Sequence, residues 1–234
     1  MEHFIFPAHT TSLPIVGMSE RFPVRRVYCI GLNYVDHAKE MGIPADKIGT
    51  GEPLFFGKPA DAVVVGPTIR FPPRTSNFHY EAELVVAIGK AGSNVSAAQA
   101  VSMIYGYAVG IDLTRRDMQK AAMDNGLPWD FAKGFDESAP CGPILPMTET
   151  LLRRGKIELT VNGCVRQSSN LSKLITPIDQ MIAILSTAVA LKPGDLIFTG
   201  TPEGVGKLEV GDVVVASVEG VGSLTVTVLP PAKL

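Results

Sequence analysis

Phe78-His79-Tyr80-Glu81-Ala82-Glu83-Leu84-Val85-Val86-Ala87-Ile88 carries two acids straight into five consecutive apolar residues. Such a run, rich in valine and bounded by polar residues, reads as a strand. Side chains alternate along a strand, so Glu81 and Glu83 share one face. Taken alone, a Glu-x-Glu pair belongs on a solvated strand edge. Here the second glutamate abuts the apolar run, which points instead to a metal ion or a basic partner between the two like charges.

On either side of this stretch the pattern repeats. Glycine and proline punctuate the chain, and the runs between them are short and rich in Val, Ile and Phe: residues 26–30, 62–65, 83–88, 156–161, 212–218 and 223–228 read as strands. Three segments read as helices. Residues 177–185 place Ile178, Met181, Ile182 and Leu185 on one face, with Thr176 as the expected N-cap and Asp179 completing a capping box. Residues 96–103 and 114–123 are the others, the latter starting from a Thr cap behind Asp112. The expectation is one mixed α/β, predominantly β domain over residues 20–234, behind an N-terminal extension of residues 1–19.

Composition narrows the function. The 234 residues carry a formal net charge of -2 with no block of like charge. That leaves no electrostatic footprint for nucleic acid or an anionic membrane, so small-molecule chemistry is the expectation. No apolar stretch is long enough for a membrane span, and the first eleven residues lack the pattern of a secretory signal. Cys29, Cys141 and Cys164 are odd in number and widely spaced, as suits reduced thiols in a cytoplasmic protein.

Several further residues could carry chemistry. Asp112 ends the apolar run Tyr105–Ile111 and is either a helix cap or a third acid facing a pocket. Three carboxylates would suit a hard ion such as Mg²⁺, Mn²⁺ or Ca²⁺ rather than zinc. Arg115 and Arg116 follow, then Lys133 in Trp129-Asp130-Phe131-Ala132-Lys133-Gly134-Phe135. An arginine binds a substrate carboxylate bidentately, and a lysine can offset a developing oxyanion. Residues 31–42 read as a short helix capped by Asn33 and ending at Gly42. His37 and Glu40 then lie three apart on one face, either as a surface pair or as a base whose tautomer the carboxylate fixes. The glycine-rich turn Thr199–Gly206 lacks the residues of a phosphate loop, although its amides and Thr201 could touch a ligand.

In chain order these segments resemble the catalytic domain of the fumarylacetoacetate hydrolase family over roughly residues 20–229. The resemblance rests on Gly31-Leu32-Asn33-Tyr34 with His37 and Glu40, Phe56-Gly57-Lys58-Pro59, Tyr80-Glu81-Ala82-Glu83-Leu84, Gly110-Ile111-Asp112-Leu113-Thr114-Arg115-Arg116-Asp117, Ala132-Lys133-Gly134-Phe135-Asp136 and Gly194–Pro202. It implies a β-sandwich roll, commonly a homodimer. It also implies Mg²⁺ or Mn²⁺ on Glu81, Glu83 and Asp112, and a water-activating dyad of His37 and Glu40 on a mobile lid. Lys133, Arg116 and Gln119 would contact substrate, with Thr201 near its carboxylate end. The chain looks most like the bacterial fumarylpyruvate hydrolases within the family, with the stretch from Leu113 to Phe131 as the guide. Leu32 departs from the pattern, which has arginine there. Oxaloacetate decarboxylation, oxo-acid isomerisation and a non-catalytic, metal-stabilised binding role are the alternative expectations.

Overall fold

Ala82–Ile88 is buried along its whole length because it has apolar neighbours on both faces. Leu84, Val86 and Ile88 point into one core, Val85 and Ala87 into another, which is why the sequence there does not alternate. The computed structural model describes residues 5–7, 9–148 and 150–232. Within them the chain is mixed and mostly strand, as expected.

Two sheets dominate. The first has six strands in the spatial order Leu145–Pro146, Ile104–Ile111, Ala82–Ile88, Asp195–Phe198, Arg26–Gly31 and Leu54–Lys58. The second has five: Cys164–Asn170, Lys156–Val161, Val213–Val218, Gly222–Leu229 and Thr68–Arg70. The main core lies between them and joins Leu84, Val86 and Ile111 to Ile157, Leu159, Ala216 and Val226. The smaller core covers the opposite face of the six-stranded sheet. Leu13 and Ile15 belong to it, and Ser12–Pro14 pairs with Arg21–Pro23. Part of the expected N-terminal extension therefore packs into the body of the fold.

The helices are α1 (Val35–Glu40), α2 (Ala97–Val101), α3 (Arg116–Asp124), α4 (Asp130–Lys133) and α5 (Ile178–Ala188). Ser96 and Gln99 form a complete capping box on α2. The caps expected from the sequence for the other helices are replaced. Pro177 precedes α5 and Tyr34 precedes α1, neither with a side-chain cap. Asp179 pairs instead with Arg153, and Asn33 is spent on tertiary contacts described below. Thr114 and Arg115 extend as a short strand against Phe78–Tyr80, so the third helix begins only at Arg116. Here a strand partner outcompetes a local Thr cap.

Strand polarity assembles one edge of the six-stranded sheet. Arg26–Gly31 and Asp195–Phe198 run parallel and end there. Ala82–Ile88 runs antiparallel to Asp195–Phe198 and begins there, and Ile104–Ile111, antiparallel again, ends there. Four strand ends that are distant in sequence thus deliver Leu32, Thr199–Thr201, Glu81, Glu83 and Asp112 to the same place.

Candidate active site

Glu81, Glu83 and Asp112 are buried, and one carboxylate oxygen from each lies within 4.8 Å of the others. Asp112 stands opposite Glu81, whose carbonyl accepts its amide at 2.8 Å. Gly200 donates its amide to Glu83 Oε2 at 2.7 Å. Gly200 has φ 92°, and a Cβ there would come within 2.6 Å of Asn33, so only glycine brings that amide so close.

Three buried acids need cations. Lys133 Nζ lies 2.7 Å from Glu81 Oε2, 2.8 Å from Asp112 Oδ2 and 2.7 Å from Thr114 Oγ1. All three ammonium protons are engaged. Arg116 pairs with Glu81 Oε1 and donates to Gln119 Oε1, while its Nε faces His79 Nδ1 at 3.3 Å. Lys58 is a cation that the sequence reading did not single out. It is buried, its Nζ lies 2.8 Å from Asp112 Oδ1, and it donates to the Leu113 and Lys133 carbonyls.

The charges split the acids' behaviour. Burial alone would raise the Glu81 pKa, but Lys133 and Arg116 outweigh it and hold the group well below the carboxylate range. For Glu83, burial and then the like charges of Asp112 and Glu81 push the pKa well upward, against the Gly200 amide. Burial would lower the Lys133 pKa, yet Asp112 and Glu81 raise it, so it stays an ammonium. His79 is pushed down to about 4 by burial and by Arg116, and remains a neutral neighbour of the arginine.

Across the cavity, α1 presents His37. Its Nδ1 is 3.1 Å from Glu40 Oε2, and the Gly204 amide donates to both Glu40 oxygens at 3.2 and 3.3 Å. The Glu40 pKa feels an upward push from burial, exceeded by the hydrogen bonds from His37 and the Gly204 and Val205 amides, and is lowered. His37 is 5% exposed and faces the cavity, while Glu40 on its outer side remains partly exposed, so the pair runs from the surface into the site. The cavity, about 30 Å³, is lined by His37, the three acids, Arg116, Gln119, Lys133 and Thr201. Of the residues singled out from the sequence for chemistry, Glu40 meets the cavity only through His37, and Arg115 turns away from it, donating to the Phe131 carbonyl at 3.0 Å and lying over the Phe135 ring. Gln167, another residue the sequence reading passed over, supports one wall: it donates to Thr201 Oγ1 at 2.8 Å and accepts the Ala82 amide at 2.9 Å. A roomier groove beside Leu152–Arg154 brings together no such cluster among the described residues.

Residues 26–229 match the model of the fumarylacetoacetate (FAA) hydrolase C-terminal family. The chain belongs to the fumarylacetoacetate hydrolase family. Among its relatives in this family is the fumarylpyruvate hydrolase of a Ralstonia species, 50% identical over 190 residues, which are 81% of this chain and 99% of that protein. The mitochondrial oxaloacetate tautomerase of Mus musculus is 37% identical over 202 residues, 86% of this chain and 90% of the relative. The crystal structure of fumarylpyruvate hydrolase from Pseudomonas aeruginosa, in complex with Mn²⁺ and pyruvate, superposes with a TM-score of 0.93 at 44% identity, covering 98% of this chain and 100% of that one. The β-sandwich-roll architecture expected of a fumarylacetoacetate hydrolase family member is therefore the one this chain adopts.

The donor set suits the divalent ion that this family membership suggests. All three acids offer hard oxygen donors. Asp112 Oδ1 is buried without a hydrogen bond, since Lys58 Nζ sits beside it at ion-pair distance but off the direction a hydrogen bond requires. A second cation in reach of Glu83 would relieve the repulsion that raises its pKa.

Proposed function

We propose that this chain is a metal-dependent hydrolase that cleaves the carbon–carbon bond of an acylpyruvate, converting fumarylpyruvate to fumarate and pyruvate. The observation that carries the reading is the His37–Glu40 pair facing the buried Glu81–Glu83–Asp112 cluster across one small cavity. The 50% identity to a fumarylpyruvate hydrolase supports it.

Glu81, Glu83 and Asp112 would hold the ion. When bound, it supplies Lewis-acid polarisation of the 2-oxo acid end and positive charge against the departing enolate. His37 takes a proton from water, because Glu40 on Nδ1 leaves Nε2 free to accept and then stabilises the imidazolium. The water oxygen bonds to the distal acyl carbonyl carbon. Gln119 and Lys133 are the donors for the resulting oxyanion, and Lys133 must first release one of its three present partners. Collapse breaks the bond to the methylene carbon, which then takes up a proton to give pyruvate. Arg116 and Thr201 orient the carboxylate of the pyruvyl end.

The cavity, about 30 Å³, is small beside an acylpyruvate. In this reading α1 is the lid that moves aside for substrate and closes over it, which also excludes bulk water. His37→Ala should abolish turnover and retain Mn²⁺ binding, measured by titration calorimetry beside pyruvate release; near-normal turnover would remove His37 from the reaction.

The reading extends to residues 20–234 as one catalytic domain, to Mg²⁺ as an alternative ion, to a homodimer and to a cytoplasmic location. Supporting these are the family match over residues 26–229, the hard oxygen donors, the exposed apolar Leu127 and Phe131, and the free cysteines. No helix among the described residues is long and apolar enough to cross a membrane. The deciding experiment is pyruvate release from fumarylpyruvate by the purified chain with Mg²⁺ or Mn²⁺, beside a chelated sample. Release that chelation abolishes supports the hydrolase; turnover of oxaloacetate alone favours the decarboxylase or isomerase chemistry, and no turnover of either favours a binding protein.

A further inference from the structure

Beside the catalytic cavity lies a second one of about 140 Å³, and the two share the wall Ile30–Gly31–Leu32. Leu32 is held in the left-handed region at φ 57°, where leucine is strained. Both neighbours enforce this. Gly31 closes the ladder against Leu54. Asn33 accepts the Thr176 amide at 2.7 Å and donates to the Thr176 and Thr199 carbonyls at 3.1 and 2.9 Å. With its backbone pinned on either side, Leu32 places its side chain between the two cavities.

The chemistry of the second cavity differs from that of the first. Ile43, Ile48, Leu54 and Ile175 make it mainly apolar, while Lys47 and Thr50 stand at its rim. The lysine ion pairs among the described residues involve Lys39, Lys58, Lys120, Lys133, Lys156 and Lys207, but not Lys47. In the catalytic cavity, by contrast, Arg116 and Lys133 are already paired to Glu81 and Asp112. A substrate with a carboxylate at each end finds no free cation there for the second.

We propose that this second cavity is the subsite for the distal end of the acyl group, with Leu32 as the partition that yields to it and Lys47 as the partner of a terminal carboxylate. The proposal rests on the acylpyruvate reading above and names the substrate class: short acyl chains, apolar along their length and anionic at the tip. Glu52 shares the rim and is exposed, so it opposes the same anion.

The test compares kcat/KM of the Mn²⁺-loaded full chain for fumarylpyruvate and for acetylpyruvate, which has no distal carboxylate. Lys47→Ala should lower the fumarylpyruvate-to-acetylpyruvate ratio about threefold through KM, the size expected of a solvated ion pair, and Glu52→Gln should raise it. Leu32→Ala should admit longer acyl chains that the unmodified chain rejects. Ratios unmoved by both charge changes overturn the subsite while leaving the hydrolase intact, and continued rejection of longer chains removes Leu32 from it. If the unmodified chain cleaves neither substrate, the acylpyruvate reading falls, and calorimetric fumarate binding decides the subsite alone. Binding weakened by Lys47→Ala supports the subsite, and binding indifferent to that change overturns it.

Discussion

Glu40 is the residue whose protonation reports on α1, the proposed lid. Its pKa lies below the ordinary carboxylate value of 4.5, because the bonds from His37, Gly204 and Val205 outweigh partial burial. The folded state therefore binds that proton less readily than the unfolded chain, and the associated stability is complete above the unfolded pKa and lost as pH falls through the folded one. Glu40→Gln should accordingly be less stable than the parent at neutral pH, with the gap closing in acid, as read by urea titrations over a pH series. A gap independent of pH would mean the carboxylate charge plays no part. Lys58 offers a second check. Its ammonium is fully buried beside Asp112, and removing one partner of a buried pair costs about 3 kcal/mol. Lys58→Met should lose about that much in chelator, whereas an unchanged unfolding midpoint would show that Lys133 neutralises Asp112 unaided.

Among the elements, the Thr199–Gly206 turn joins the strand ends to α1. Gly204 sits at φ 93°, and a Cβ there would come within 2.1 Å of the Arg166 carbonyl, so a side chain must displace the turn. Because the Gly204 amide also holds Glu40, Gly204→Ala should lower kcat as well as thermal stability. An unchanged kcat with a raised KM would show that the turn only aids binding. Helix starts are the features least legible in the sequence. Thr176, Asn33 and Thr114 all have cap-forming side chains, yet none caps its helix. Asn33 makes more hydrogen bonds by tying Thr176 to Thr199 than a cap would offer, and Thr114 accepts the Lys133 ammonium. Local propensity is the weaker term where a buried polar group has tertiary partners.

For the molecule as a whole, an ion held by the acid cluster would couple metal binding to folding. Three buried carboxylates, one with a raised pKa, leave the metal-free fold carrying internal repulsion. An ion that binds only the folded state adds about 2.7 kcal/mol at a concentration a hundredfold above its Kd. Mn²⁺ or Mg²⁺ should raise Tm progressively with concentration, and chelator should lower it; a Tm indifferent to both ions would remove the cluster as a metal site.

Local spacing in the chain was enough to mark the strands, the glutamate pair on its apolar run, the His37–Glu40 spacing and the family motifs, because period and residue type are written locally. Their meeting was not. Glu81, Glu83, Asp112 and Thr201 converge because parallel and antiparallel partners bring four strand ends to one place, where α4 adds Lys133, and strand pairing is a long-range choice. Lys58 in its motif and Gln167 in its strand looked like ordinary polar residues until packing removed their water and left Asp112, Ala82 and Thr201 as their partners. Burial is what turns such groups into obligatory partners, and burial belongs to the tertiary structure.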